Sequence, residues 1–371
     1  MIESAKLLNS LSLDELFERW AITRVGAIDG LDTIGVPVWS SCRPLSKVMC
    51  ISGGKSLDTK LARAGAIAEA IEYSVFENPG GDYELVTCCR FEHFPMSIHF
   101  DGKPKIIAIE PVTHFSSGQK IQLPSDLIWS VKRDQEAPIF QRSSTGQALG
   151  PSEESAFISG IYECIERDAM TVRYAVFNEF GLFPNPIGVM ETPLTEMIKR
   201  AGLRPLLFYL TLDIPVHIVL AMLADPTGEQ IIYSGYGTDL DMARAQQKAI
   251  LEAVQSRAIY IAGVRDDLKW DFLEKSREEG HQEFIDGCDQ TPLFPTQTFV
   301  FKNELQELIT RLGAWKQNVF FKHLPIAHGL HAVKAIILGL EPYYSKYWKA
   351  GKRWESLRPL FSSAQVSTVA T

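Results

Sequence analysis

No stretch of this chain stays apolar for the roughly 18 residues that a bilayer-crossing helix needs. The opening MIESAKLLNSLSLDELFERW carries Glu3, Asp14 and Glu15, so it lacks the basic start and unbroken apolar run of a secretory signal. Basic residues are outnumbered, 37 Lys and Arg against 45 Asp and Glu, and they form no dense stripe. That removes the electrostatic footprint of a nucleic-acid binder. The six cysteines (Cys42, Cys50, Cys88, Cys89, Cys164 and Cys288) make no C-x-x-C pair and are too few for a disulfide scaffold in 371 residues. These absences predict a cytoplasmic protein that engages neither membrane nor nucleic acid. The only candidate for a frayed, low-complexity stretch is the polar tail Ser362–Thr371.

Several catalytic signatures are missing too. There is no H-E-x-x-H zinc helix and no G-x-S-x-G nucleophile elbow. The string Gly53-Gly54-Lys55-Ser56 invites a P-loop reading, but Met49 stands where that motif requires glycine. His328 and His331 share an H-G-L-H string, yet Gly329 and the apolar run behind it read as the entrance to a strand. Adjacent Cys88 and Cys89 would point to opposite faces of a strand, which suits a structural role.

What the chain does have is an internal repeat. Residues 53–73 (GGKSLDTKLARAGAIAEAIEY), 150–169 (GPSEESAFISGIYECIERDA) and 235–257 (GYGTDLDMARAQQKAILEAVQSR) share one design. Each begins with glycine, passes a Ser, Thr or Asp able to cap a helix, and continues as a small-residue helical pattern. Each ends in a pair three residues apart: Glu69 and Glu72, Glu163 and Glu166, Glu252 and Gln255. Between the helices lie strand-like runs at 105–112, 205–212, 216–225, 229–236, 318–324 and 331–340, with Asp225–Gly228 as a hairpin turn. The fold class expected is α+β, helices packed on mostly antiparallel sheets with internal pseudo-repeats. No linker divides the chain, so a single domain over 1–371 is expected, with a core at about 20–345, a helical extension at 1–20 and a tail at 345–371.

Residues three apart on a helix share a face, so each Glu pair projects together. Like charges on an apolar-periodic helix repel unless a cation lies between them, and magnesium suits hard carboxylate oxygens combined with nucleotide phosphates. Glu69, Glu72, Glu163 and Glu166 are therefore the candidate metal ligands. Lys55, behind two glycines at the start of its helix, and Arg257, beyond Glu252, are suited to phosphate. The bland alternative is that such pairs are merely solvated surface charges.

These blocks resemble the YcaO family over almost the whole length. TRVGAIDGLDTIGVPVW (23–39) is similar to the N-terminal signature of members that act beside a TfuA partner, and GAIAEAIEY (65–73) resembles the S-x-x-x-E-x-x-E motif. SSTGQALG (143–150) with YECIERDA (162–169) resembles the second block; residues 208–226 and 235–257 resemble the later strands and the E-x-x-Q-x-R helix; HAVKAIILGLEP (331–342) resembles the closing strand. The resemblance implies an ATP-binding fold in which Lys55, Glu252, Gln255 and Arg257 bind nucleotide and the other four carboxylates hold Mg2+. It implies phosphorylation of a peptide amide oxygen after a nucleophile has added, giving an azoline, a thioamide or an amidine. Its setting is the maturation of a ribosomally made peptide such as a bacteriocin. The resemblance takes up the chain and implies no room for a separate leader-peptide reader, so a TfuA-like or E1-like partner is expected beside the precursor peptide; a homodimer stays open.

Several positions depart from the pattern. Gly65 stands in place of the usual Ser, while Pro151 and Ser155 fall where an Asn and a Glu ligand are common, with Glu154 one residue away. Tyr73 replaces a common Arg, and the end AQVSTVAT lacks the Pro-rich terminus of azoline-forming members. The departures keep alive a second reading, a scaffold that presents peptide without turning over ATP. A third is an unrelated carboxylate-metal phosphohydrolase.

Overall fold

The structure is a computed structural model that describes residues 2–88, 104–133, 139–224, 232–264, 302–326, 329–342 and 348–368. Cys89, His93, His99, His281, Cys288, His328 and the 225–228 turn lie outside the described residues. The chain forms two compact units.

The first unit takes in Met1–Ile71, Pro184–Thr211 and Val216–Val300. It opens with helices α1 (Ile2–Ser10) and α2 (Leu13–Trp20). Ser12 closes a capping box on α2: its hydroxyl accepts from the Glu15 N–H, and the Glu15 carboxylate accepts from the Ser12 N–H. Strands β1 (Arg24–Ala27), β2 (Val38–Cys42) and β3 (Ile51–Lys55) form an antiparallel meander that runs into α3 (Thr59–Phe76). A second antiparallel sheet has the order β11-β10-β9-β8, from β8 (Asn185–Ile187), β9 (Arg204–Tyr209), β10 (His217–Ala224) and β11 (Ile232–Asp239). Helix α5 (Pro193–Arg200) joins β8 to β9, and α6 (Met242–Ala262) follows β11.

Glycines explain how closely these helices lie on their strands. Gly54 of β3 faces the backbone of Ala62, Gly65 and Ala66 in α3. Gly235 and Gly237 of β11 likewise face Ala245, Ala249 and Ala253 in α6. A side chain at any of these strand positions would collide with helix backbone, so the glycines mark close approach of two chain segments. Val36, Val38, Leu207, Val219 and Ile250 fill the core beside this contact.

The second unit takes in Glu72–Phe183, Leu212–Pro215 and Phe301–Thr371. Its sheet runs β4-β5-β12-β13-β7, with β6 paired to β5. The strands are β4 (Glu84–Cys88), β5 (Lys105–His114), β6 (Lys120–Pro124), β7 (Gln147–Gly150), β12 (Val319–Ile326) and β13 (Leu330–Ile337), all antiparallel. Gly329 turns the chain into β13 at φ +67°, the strand entrance expected from H-G-L-H. Helix α4 (Glu153–Phe180) is capped by Ser152 and stopped by Gly181 in the left-handed region. Helices α7 (Glu304–Arg311) and α8 (Lys352–Thr368) complete the unit. The stretch expected to fray from Ser362 is thus helical as far as Thr368, and Trp354 and Leu357 anchor α8 on Val172, Ala175 and Val176 of α4.

Gly146, just before β7, sits at φ +80° beneath the Ala335 carbonyl and the Cys164 thiol. Any side chain there meets both the wrong backbone region and occupied space. Gly146→Ala is expected to destabilise the protein by about 3 kcal/mol in urea unfolding, summing overpacking and strain. A change under about 1 kcal/mol would show that this approach is softer than it looks.

Candidate functional site

In the first unit three of the four predicted nucleotide residues, Lys55, Glu252 and Gln255, meet beside β3. The Lys55 ammonium, at the end of β3, donates to Glu252 of α6 at 3.1 Å; both side chains remain partly open to solvent. One residue pair back along β3, the Gly53 N–H donates to the Glu69 carboxylate of α3. The Gln255 amide lies where a Gly53 Cβ would have to be, so glycine at that position is what lets α6 bring Gln255 to the strand. Thus Glu69, Glu252, Gln255 and Lys55 meet on β3 because α3 brings its Glu69 and α6 its Glu252 and Gln255 beside it.

Arg257 is held from two sides. Its Nε donates to Asp32 at 3.0 Å, and its guanidinium lies 5.2 Å from the centre of the Tyr233 ring. The Asp32 side chain is only 3% exposed and also accepts from the Thr33 N–H, while its second oxygen has no hydrogen-bond partner among the described residues. With Nε committed to Asp32, the two Nη groups are what Arg257 can offer to an anion. Asp32 belongs to the GLDTIG segment, which the sequence reading singled out without giving this residue a role.

In the second unit, Glu163 of α4 accepts from the Gly146 N–H at 3.1 Å and pairs loosely with Arg167 at 3.5 Å. Burial pushes its carboxyl above the usual carboxylate range, against the opposing pull of Arg167 and Lys334. Still, 23% of the side chain is exposed, so a ligand can reach it. Glu166 and Glu72 are half-buried on α4 and at the end of α3. Among the described residues no three His, Cys, Asp or Glu side chains form a ready-made metal cage. A magnesium ion does not need one, since it commonly takes one or two carboxylates together with phosphate oxygens and water. A reachable carboxylate disfavoured as an anion by burial fits such a cation, which would offset that burial.

Two of the departures, Gly65 and Ser155, have structural explanations. A side chain at Gly65 would press on the Gly54 Cα at 3.3 Å, so the α3–β3 contact favours glycine there. Ser155 is spent on the start of α4: it exchanges hydrogen bonds with Ser152 as the third residue of the helix. Glu154 is exposed in the same first turn.

Sequence reasoning missed Lys334, Asp168, Glu341 and Arg353. Lys334 is buried in the middle of β13. Glu341 is buried and accepts from the N–H groups of Gly351 and Trp354 and from the Trp348 indole. The signal available was a charge inside an apolar run, as in HAVKAIILGL.

Comparison with known proteins gives a consistent result. The family model described as YcaO cyclodehydratase, ATP- and Mg2+-binding, matches residues 53–341. A Rhizobium leguminosarum bv. trifolii protein described as an uncharacterized protein in the tfuA 3' region is 30% identical over 73% of this chain and 70% of its own length. An uncharacterized Methanothermobacter thermautotrophicus protein is 28% identical over 90% of this chain and 94% of its own. Among solved structures, YcaO from Methanopyrus kandleri bound with AMPPCP and Mg2+ aligns with a TM-score of 0.68 at 18% identity, covering 91% of each chain. A heterocyclase in complex with substrate and cofactor aligns at 0.73 and 15% identity over 94% of this chain and 55% of its own. The E. coli microcin synthetase McbBCD complex with pro-MccB17 bound aligns at 0.61 and 16% identity, over 84% and 87%.

Proposed function

Because the chain belongs to the YcaO family, we propose that it uses ATP and Mg2+ to phosphorylate a backbone amide oxygen of a ribosomally made peptide once a nucleophile has added to that amide. The family binds ATP and Mg2+. When bound, Mg–ATP supplies the phosphoryl transfer that turns the amide oxygen into a good leaving group. The chain's own part is to hold charge and position. Glu69, Glu72, Glu163 and Glu166 are proposed as the carboxylates for Mg2+. Lys55, Glu252, Gln255 and Arg257 are proposed for the nucleotide, with the Nη groups of Arg257 aimed by Asp32. The single observation that carries the reading is Glu163, a carboxylate of α4 that stays reachable by a ligand while most of its side chain is covered.

Of the possible products, a thioamide made beside a TfuA-like partner is favoured over an azoline. The relative from the tfuA region and the likeness of GLDTIGVPVW to TfuA-partnered members support this choice. That solved neighbours include a three-protein synthetase with a bound precursor supports a peptide substrate of the bacteriocin kind and at least one partner protein. The test is incubation with precursor peptide, TfuA-like partner, a sulfide source and Mg–ATP, read by mass spectrometry and phosphate release. Exchange of an amide oxygen for sulfur is the expected outcome. Loss of water alone would move the assignment to azoline formation, and no product with any partner would overturn it.

The scaffold reading stays in play on the observation that Ser155 is used for capping rather than left available for ligand binding. Calorimetry separates the two: magnesium-dependent binding of AMPPCP is expected, and a scaffold would show none. Within the same assay, Asp32→Asn should weaken AMPPCP affinity about tenfold by loosening the aim of Arg257. Equal affinity would show that Tyr233 alone suffices to place the guanidinium.

A further inference from the structure

Two histidines of the second unit meet outside the carboxylate and nucleotide sets. His323 of β12 and His331 of β13 share the sheet face that α4 covers, where Phe321 packs on Phe157 and Ala335 lies beneath Gly160. His323 Nε2 lies 2.9 Å from His331 Nδ1, while the ring centres are 5.1 Å apart. The rings therefore meet nitrogen to nitrogen rather than face to face. The second nitrogen of His323, Nδ1, lies 2.9 Å from the carboxylate of Glu153, the first residue of α4.

This chain of contacts fixes where the protons sit. A carboxylate only accepts, so His323 carries its proton at Nδ1, facing Glu153. Neutral His323 then offers a lone pair at Nε2, and His331 must donate to it from Nδ1. Neutral His331 is left with its own lone pair at Nε2. Among the described residues that nitrogen has no hydrogen-bond partner, and the ring is only half-buried. No three metal-ligating side chains among the described residues converge on one point. Glu153, His323 and His331 instead follow one another in a line, which suits relaying charge rather than enclosing an ion. A proton taken at His331 Nε2 would be stabilised through His323 by the Glu153 carboxylate, the logic of a buttressed catalytic imidazole.

The same strand pair carries the proposed magnesium carboxylate. β13 runs beside β7 from His331 opposite Gly150 to Lys334 opposite Gln147, and Gly146, one residue further, gives its N–H to Glu163. About 13 Å of strand separates the two levels. Less the reach of both side chains, that is the span of a phosphoryl group and the amide carrying it.

We propose that His331 is a general base of the reaction, taking the sulfur proton of the phosphorylated adduct, with His323 and Glu153 as positioning residues. In that adduct the former amide carbon holds an O-phosphoryl group, an S–H and the peptide N–H. As the S–H proton passes to His331 Nε2, its electron pair forms C=S. The C–O bond breaks, and phosphate leaves with that bond's pair. The assignment rests on the thioamide reading above.

The experiment uses the full-length protein with precursor peptide, TfuA-like partner, sulfide and Mg–ATP. His331→Ala is expected to lower kcat for thioamide formation by about 10²- to 10⁴-fold, the usual share of general-base catalysis. KM for the peptide and affinity for Mg–AMPPCP should stay within about threefold of wild type. Added imidazole should restore at least about tenfold of the lost rate, which a structural role would not allow. Glu153→Gln and His323→Gln should each cost about 10- to 100-fold, as removal of an orienting partner does. Undiminished kcat in His331→Ala, or a folded variant that imidazole does not rescue, would overturn the proposal. Nitrogen-15 spectra of the wild-type histidines give a second measurement that needs no variant to fold. Protons at Nδ1 of both His323 and His331 are expected, and a His331 protonated at Nε2 alone would remove the base. Wild-type protein that makes no thioamide would overturn the reading beneath, while the spectra still decide the relay.

Discussion

Glu163→Gln is expected to lower peptide-dependent ATP turnover by about 10²- to 10³-fold, the scale of removing one charge-stabilising group from a reaction site. Gln is isosteric and keeps an acceptor for the Gly146 N–H, so the α4–β7 contact survives. What is lost is the negative charge, and with it the attraction for Mg2+. The defect should appear as a raised magnesium requirement in a titration at fixed ATP. Little change in Tm is expected, since the carboxylate is already disfavoured by burial and its bond to Arg167 is long. A variant with normal turnover at low magnesium would remove Glu163 from the metal set. It would return the Glu163/Glu166 pair to the status of a partly buried, structural helix face.

The contrast between what could and could not be read from the sequence follows from distance along the chain. The strand runs at 105–112, 205–212, 216–225 and 331–340 were legible because branched and aromatic residues concentrate there, and each became a strand. The Gly–Ala pattern of 53–73 and 235–257 was legible because close approach needs small residues on both partners, Gly54 with Ala62 and Gly237 with Ala249. The Lys55–Glu252 pair was half-legible: both residues belonged to the candidate set, but nothing local says that β3 ends beside α6. Partners far apart in sequence were invisible. Glu110 looks like an ordinary strand residue in KIIAIEPV, yet it is fully buried. Its carboxylate gathers Ser125, Trp129, Arg133 and Lys322. Burial alone would push that carboxyl up, but the hydrogen bonds from Arg133, Lys322 and Ser125 win and hold it below its usual range. Local pattern reports which face of an element is buried. It cannot report which charge, more than a hundred residues away, will meet the one exception on that face.

Arg353→Met is expected to be the most destabilising single change in the second unit. The Arg353 guanidinium, 2% exposed, donates from Nε and Nη2 to Asp168 and from Nη1 and Nη2 to Asp213. It also lies 5.0 Å from the centre of the Trp315 ring. Two carboxylates hold it above its ordinary pKa although burial opposes this, so the charge is permanent. The clamp ties the start of α8 to the middle of α4, the helix that carries Glu163 and Glu166. Methionine fills similar volume but strands the Asp168 carboxylate, leaving it, among the described residues, the Glu341 N–H at 2.8 Å. Breaking a buried pair from one side costs about 3–5 kcal/mol, a large part of the 5–15 kcal/mol that holds a typical domain folded. Urea unfolding should register that loss, and limited proteolysis should cut α8 first. Asp168→Asn together with Arg353→Met should recover at least about 1 kcal/mol relative to the sum of the single changes, because the stranded charge is then gone. Strict additivity would mean that the two groups do not act as a pair. Arg353→Lys should recover little, since a single ammonium cannot span two carboxylates with a planar fork. The clamp thus gives the carboxylate helix a rigid backing, and its loss is expected to reach activity through the position of α4 rather than through any contact with ligand.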